Sequence, residues 1–199
     1  HGMTLGELAL MVNGERWLPS SRICDVTVIP CKNYTHQTRY QLPIPPSPNL
    51  PNMKSIYLYP STCFFEATPV SLGRGTSLPF QVYGHPNMTG YNYSFTPRSI
   101  PGAKNPPQLN KLCHGVDLSN MSDEEIWKRG VDLTYVIDAY RNLNLDDHFF
   151  RPFFELLVGR DYVRKMIKEG KSADEIKAMW KGDVEKFKAQ RKPYLLYEE

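Results

Sequence analysis

Apolar residues recur at helical spacing near both ends of this chain, and alternate over only one short stretch. Leu5, Leu8, Ala9 and Val12 share one helical face, Thr4 and Glu7 fit a capping box, and Gly14 supplies a stop. A helix is therefore predicted over Thr4 to Asn13, and Glu7 has a complete structural role as its cap. Asp25 to Pro30 alternates around Val26, Val28 and Ile29, which predicts a short strand ended by proline. A helix followed by a strand is half of an α/β crossover unit, so residues 1–42 read as a truncated α/β remnant with one side unusually exposed. After Asn120 helical signals dominate. Ser122 with Glu125 opens one helix, and Leu133, Val136, Ile137 and Tyr140 form a stripe. Phe149 to Val158 is an apolar segment closed by Gly159. Tyr162, Val163, Met166 and Ile167 precede Gly170, and Ser172 with Glu175 caps a last helix carrying Ile176, Met179, Trp180, Val184 and Phe187. Trp180 and Phe187, two turns apart, are expected in the core.

Proline breaks the middle of the chain. The 17 prolines exceed the roughly 10 that average usage of about 5% gives for this length. Leu42 to Pro51 carries five of them and reads as a stiff joint between lobes. From Ser55 to Tyr83 short strands joined by loops are predicted, and no regular helix is expected over Tyr59 to Pro86 because Pro60, Pro69 and Pro79 each remove an amide donor. Pro97 to Cys113 is irregular. The fold class that follows is α+β: short mixed strands and loops, then a helical C-terminal third, with the α/β remnant in front. The domain division is 1–42 and 43–199.

Composition narrows the function classes. Net charge is only +3, and its excess lies from Arg160 onward, with 11 basic against 8 acidic residues there and 13 of each before it. A solvated helical face accounts for that excess, and no aromatic-interleaved basic stripe suits a nucleic acid. No apolar run approaches the roughly 18 residues of a membrane span. The chain opens on His1-Gly2-Met3 without the regions of a signal peptide. Cys24, Cys31, Cys63 and Cys113 have no metal-type spacing; they allow three pairings, and buried free thiols are the plainer expectation. No metal or cofactor is called for. Sequons at Asn33, Asn87, Asn92 and Asn120 matter only in a eukaryotic secretory pathway.

The chemistry concentrates between Tyr59 and Pro86. Gly73 and Gly75 flank Arg74, which presents its guanidinium on a tight loop suited to a carboxylate or a sugar oxygen. Glu66 is the one carboxylate in a loop setting suited to catalysis, with Asp117 second, although Asp117 also fits the start of a turn. Ser71, Thr76, His85, Ser47 and Asn49 are candidate sugar-binding groups. Each has a plainer reading: a pin between Arg74 and Glu66, a loop histidine satisfied by backbone, or caps on the turns of the proline joint. Both sets of readings stay open.

These residues resemble a known family. His1-Gly2-Met3-Thr4-Leu5-Gly6-Glu7-Leu8-Ala9, Ser47 to Pro51, Tyr59-Pro60, Glu66, Ser71 to Thr76, Pro79-Phe80 and Gly84-His85-Pro86 are similar to the NamZ-type exo-β-N-acetylmuramidases, once catalogued as bacterial proteins of unknown function. Gly170 to Ser172, Trp180, Phe187, Arg191 and Tyr194 to Tyr197 extend the likeness to the C-terminus. Asn87 after Pro86 and Tyr34 depart from positions where Trp is common, which bears on sugar specificity. The resemblance implies a protein about twice this length, with a Rossmann-like N-terminal domain that carries the catalytic carboxylate. It implies release of N-acetylmuramic acid from the non-reducing end of peptidoglycan fragments in the periplasm or outside the cell. Arg74 would then meet the lactyl carboxylate. This chain would supply the C-terminal domain and one wall of the cleft, its partners being muramic acid glycosides and the N-terminal domain of the same protein. The isolated chain is expected to be inactive, and a non-catalytic glycan-binding or structural module is the alternative.

Overall fold

The structure is a computed structural model describing residues 1–199. It is α+β, with seven α-helices and one three-stranded sheet. The chain divides into two compact units, one of His1–Gln41 with Met179–Glu199, the other of Leu42–Ala178.

In the first unit, helix α1 (Leu5–Gly14) starts at the predicted capping box, with the Thr4 amide donating to Glu7 and the Glu7 amide to Thr4 Oγ1. Glu7 does more than cap. It is fully buried, and it also accepts from the Leu196 amide at 2.7 Å and pairs with His36 Nε2 at 3.0 Å. Burial by itself would raise its pKa; the bonds from Leu196, Thr4 and His36 outweigh that and hold it at about 2. The Tyr194 hydroxyl donates to Glu15, and Arg191 donates to the His1 and Gly2 carbonyls, so the C-terminal segment is tied to the N-terminal one. The strand expected over Asp25 to Pro30 is not formed. No other segment pairs with it, and a lone extended stretch has no ladder to stabilise it. Leu5 and Ile29 are 84% and 88% exposed.

The second unit departs most from expectation between Ser55 and Tyr83. Helix α2 (Met53–Thr62) occupies the first part, with Pro60 inside it. Asn52 caps it through the Ser55 amide, Ser55 reciprocates, and buried Leu58, Ser61 and Thr62 anchor one face. Pro60 is tolerated because it lies in the last turn, where tertiary packing outweighs the lost donor and the Thr62 hydroxyl bonds the Leu58 carbonyl. A 3-10 turn, Cys63–Ala67, follows. Strands are few: β1 (Val82–His85), β2 (Tyr93–Phe95) and β3 (Cys113–Asp117) form an antiparallel sheet in the order β1-β3-β2.

The helical third agrees with the pattern. Helix α3 (Asp123–Arg129) is capped by Ser122, and α4 (Thr134–Leu143) buries Tyr135, Val136, Ile137, Ala139 and Leu143. The segment from Phe149 gives only a short helix, α5 (Phe154–Val158), because Phe149, Phe150 and Phe154 turn inward as an aromatic cluster with Tyr140. Helices α6 (Tyr162–Lys168) and α7 (Ala173–Arg191) follow, with Ser172 and Glu175 capping α7. Trp180 and Phe187 are half-buried rather than core, since only Ala173 and Ile176 of α7 are buried. All four cysteines are free; Cys63 and Cys113 are buried as expected, while Cys24 and Cys31 are exposed.

Candidate active-site cleft

The loop after the 63–67 turn is built to hold one side chain in place. Gly73 and Gly75 have φ of +81° and +82°, and a Cβ on Gly75 would stand 2.4 Å from the Arg98 carbonyl oxygen. Thr76 closes the turn: its amide and hydroxyl both donate to the Gly73 carbonyl, and its hydroxyl accepts from the Leu78 amide. Ser71 and Gly84 exchange backbone bonds of 2.8 and 2.9 Å that fasten the loop to β1, and Arg98 donates to the Gly75 carbonyl at 2.8 Å. Arg74, between the two glycines, is the charged side chain that projects from this rigid turn.

Arg74 Nη2 donates to Glu66 Oε1 at 2.5 Å, and the guanidinium carbon lies 5.3 Å from the centre of the Phe80 ring. The two side chains are 35% and 25% exposed, so the pair is neither solvated nor sealed. Arg74 Nε is buried without a partner. Beneath the pair, burial first and Glu66 second push the Cys63 thiol up to about 11, which leaves it an inert filler. Tyr59 is raised in the same way, by burial and then by Glu66.

Glu66 and Arg74 open into a cleft of about 490 Å³, whose other walls include Leu72, Lys104, Asn105 and Phe153. Glu66 is its single carboxylate. A second groove of about 280 Å³, lined by Ile56, Tyr57, Trp127 and Val131, has no charged lining residue. No group of three or more His, Cys, Asp or Glu side chains converges on a possible metal position.

The other sequence candidates fall in different places. Ser71 is buried and accepts from the Gly73 amide, and Thr76 bonds its own loop, so both shape the turn without lining the cleft. His85 lies on β1 directly across from His114, accepts from the Asn87 amide, and has its pKa lowered by burial and then by Lys111. Ser47 accepts from the Asn49 amide. Asn49 is buried and donates to the Gly102 carbonyl at 3.0 Å, so it pins the loop that carries Lys104 and Asn105. Asp117 accepts from the Ser119 amide and the Asn120 side chain, which is the turn-starting alternative. Sequence reasoning missed Lys104, Asn105 and Phe153. It also missed Asp138, whose Oδ2 accepts from Tyr83 and Tyr91, both at 2.8 Å.

Set against known sequences, the profile described as Exo-beta-N-acetylmuramidase NamZ, C-terminal, matches residues 57–197, and the corresponding N-terminal profile matches residues 1–54. The chain belongs to the NamZ family. The NamZ relative described as a peptidoglycan beta-N-acetylmuramidase of Bacillus subtilis is 33% identical over 216 residues, which cover 99% of this chain and 50% of that one. A solved DUF1343 family protein of Bacteroides fragilis is 86% identical with a TM-score of 0.98 over the whole chain, and a second from the same organism shares the fold at 23% identity and a TM-score of 0.73. The chain spans about half the length of the relatives it matches, 56% of each solved structure.

Proposed function

We propose that this chain supplies the C-terminal domain of a peptidoglycan-processing glycosidase that releases terminal N-acetylmuramic acid, and that the cleft at Glu66 is one wall of its substrate site. The observation that carries this reading is a lone carboxylate, held by a guanidinium, on a rigid loop at the edge of a half-open cleft. Glycosidic cleavage ordinarily uses two carboxylates, about 5 Å apart for retention and about 6.5–9.5 Å apart for inversion. The cleft provides one, and the remaining half of a NamZ-length chain provides the other. Glu66, bonded to Arg74, is placed to accept: it orients a hydroxyl or a water, or faces the positive charge that develops at the anomeric carbon. Family membership supports a glycan substrate, and the muramidase activity of the Bacillus subtilis relative supports muramic acid. On this reading the full-length protein works on peptidoglycan fragments outside the cytoplasmic membrane, in a recycling role that cell fractionation would test.

A second reading draws on the same pair. With Oε1 occupied by Arg74, Glu66 serves as well in a non-catalytic glycan-binding or buttressing domain. Assay of a full-length protein on a chromogenic muramic acid glycoside separates the two. Glu66→Gln abolishes turnover on the first reading and leaves it intact on the second.

A further inference from the structure

The cleft contains a second cation that the sequence pattern did not single out, and its surroundings differ from those of Arg74. Arg74 has one fork nitrogen, Nη2, on Glu66 and another, Nε, buried, which leaves Nη1 open. A second carboxylate meets two guanidinium nitrogens here only by sharing or displacing Glu66. Lys104 has no such commitment. It lines the cleft, is exposed, and has no ion-pair partner. Its backbone is nonetheless fixed. Ile100 and Ala103 exchange bonds of 3.2 and 2.9 Å, Asn49 holds the Gly102 carbonyl, and Arg98 is tied to Gly75. An unpaired ammonium on an anchored loop is positioned to meet a charge that arrives with a ligand.

Phe153, also on the cleft, is 38% exposed, while the next residue, Phe154, is fully buried. The ring is thus an exposed apolar wall standing on a core anchor. A flat apolar wall opposite polar groups is what one face of a pyranose ring requires. Among the charged lining residues, Glu66 and Arg74 cancel and Lys104 leaves an excess of one positive charge. N-acetylmuramic acid differs from N-acetylglucosamine by a lactyl ether bearing one carboxylate.

We infer that Lys104 is the group that selects the acidic sugar and that Phe153 is the platform on which the sugar ring stacks, Arg74 being the positioning residue for Glu66. This rests on the saccharide cleft proposed above. The test titrates the ¹⁵N-labelled 199-residue chain with free N-acetylmuramic acid and with free N-acetylglucosamine, following amides around Lys104 and Asn105. The wild type should bind both and prefer the acidic sugar. Lys104→Gln should reduce that preference roughly two- to fivefold, the scale of an exposed ion pair, and leave N-acetylglucosamine binding unchanged. Phe153→Ala should weaken both sugars alike. Amide shifts distant from the cleft report that each variant is folded. If the preference survives in Lys104→Gln but is lost in Arg74→Gln, Arg74 is the receptor; this inference fails and the proposed function stands. Equal wild-type binding of the two sugars also overturns it, and unchanged binding in Phe153→Ala removes the platform. If the wild type binds neither sugar, this inference fails, and the proposed function is decided separately by turnover in the full-length protein.

Discussion

Glu7→Gln tests the physical account of the first unit most sharply. The carboxylate is fully buried and accepts three bonds, from the Thr4 and Leu196 amides at 2.7 Å and from His36 at 3.0 Å. These bonds hold its pKa at about 2, against 4.5 for an unperturbed Glu. A depressed carboxylate pKa stabilises the folded state above the unfolded value, and that stability is lost as pH falls through the folded value. At 1.36 kcal/mol per pKa unit the difference of about 2.5 units corresponds to roughly 3 kcal/mol, fully present above about pH 5 and draining away as the pH falls towards 2. Gln keeps one acceptor oxygen, but its amide nitrogen must face a donor at one of the three contacts, at a cost of about 1–3 kcal/mol at neutral pH. Urea unfolding of wild type and variant, followed by circular dichroism from pH 7 to 2, should show the variant less stable at pH 7. As the pH falls the wild type should lose roughly 3 kcal/mol that the variant does not, so the gap should close or reverse. A gap that stays constant over this range would refute the reasoning, since Glu7 would then contribute nothing that its charge controls.

Other substitutions probe the cleft and its supports. Gly75→Ala should destabilise the chain by about 2 kcal/mol or more in chemical unfolding, because φ is +82° and the new Cβ meets the Arg98 carbonyl. Arg74→Lys keeps the charge but loses the planar fork and the Phe80 contact; with both partners partly exposed, calorimetry should record a loss of roughly 1 kcal/mol or less. Asp138→Asn should lower the pKa of Tyr91, so that the phenol ionises at a lower pH in an ultraviolet titration. Burial, the larger cause of its raised pKa, persists in the variant, while the charge of Asp138 is gone and any remaining bond is to a neutral amide oxygen.

The helix caps were legible in the sequence because capping is local: Thr4 with Glu7, Ser122 with Glu125 and Ser172 with Glu175 all act within four residues. Pairing and burial are not local. Asp25 to Pro30 alternates like a strand, but no segment lies alongside to complete it. Pro60 argued against a helix that packing of Leu58, Ser61 and Thr62 sustains. Trp180 and Phe187 have core spacing on a helix whose second half is largely exposed. At the cleft, Glu66 and Arg74 stood out because the flanking glycines mark a tight turn. Lys104 and Phe153 did not, since they reach the cleft only through long-range contacts such as the bond from Asn49 to Gly102, 53 residues away. Glu7 illustrates the same limit. Its cap was readable, whereas its bond to Leu196 spans 189 residues.

Turnover of a chromogenic N-acetylmuramic acid glycoside, compared between the 199-residue chain and a full-length NamZ protein carrying these residues, tests the central claim most directly. The account predicts turnover by the full-length protein, its loss in Glu66→Gln, and none by the chain alone, whose cleft holds one carboxylate. Turnover by the isolated chain, or full activity in Glu66→Gln, would contradict it.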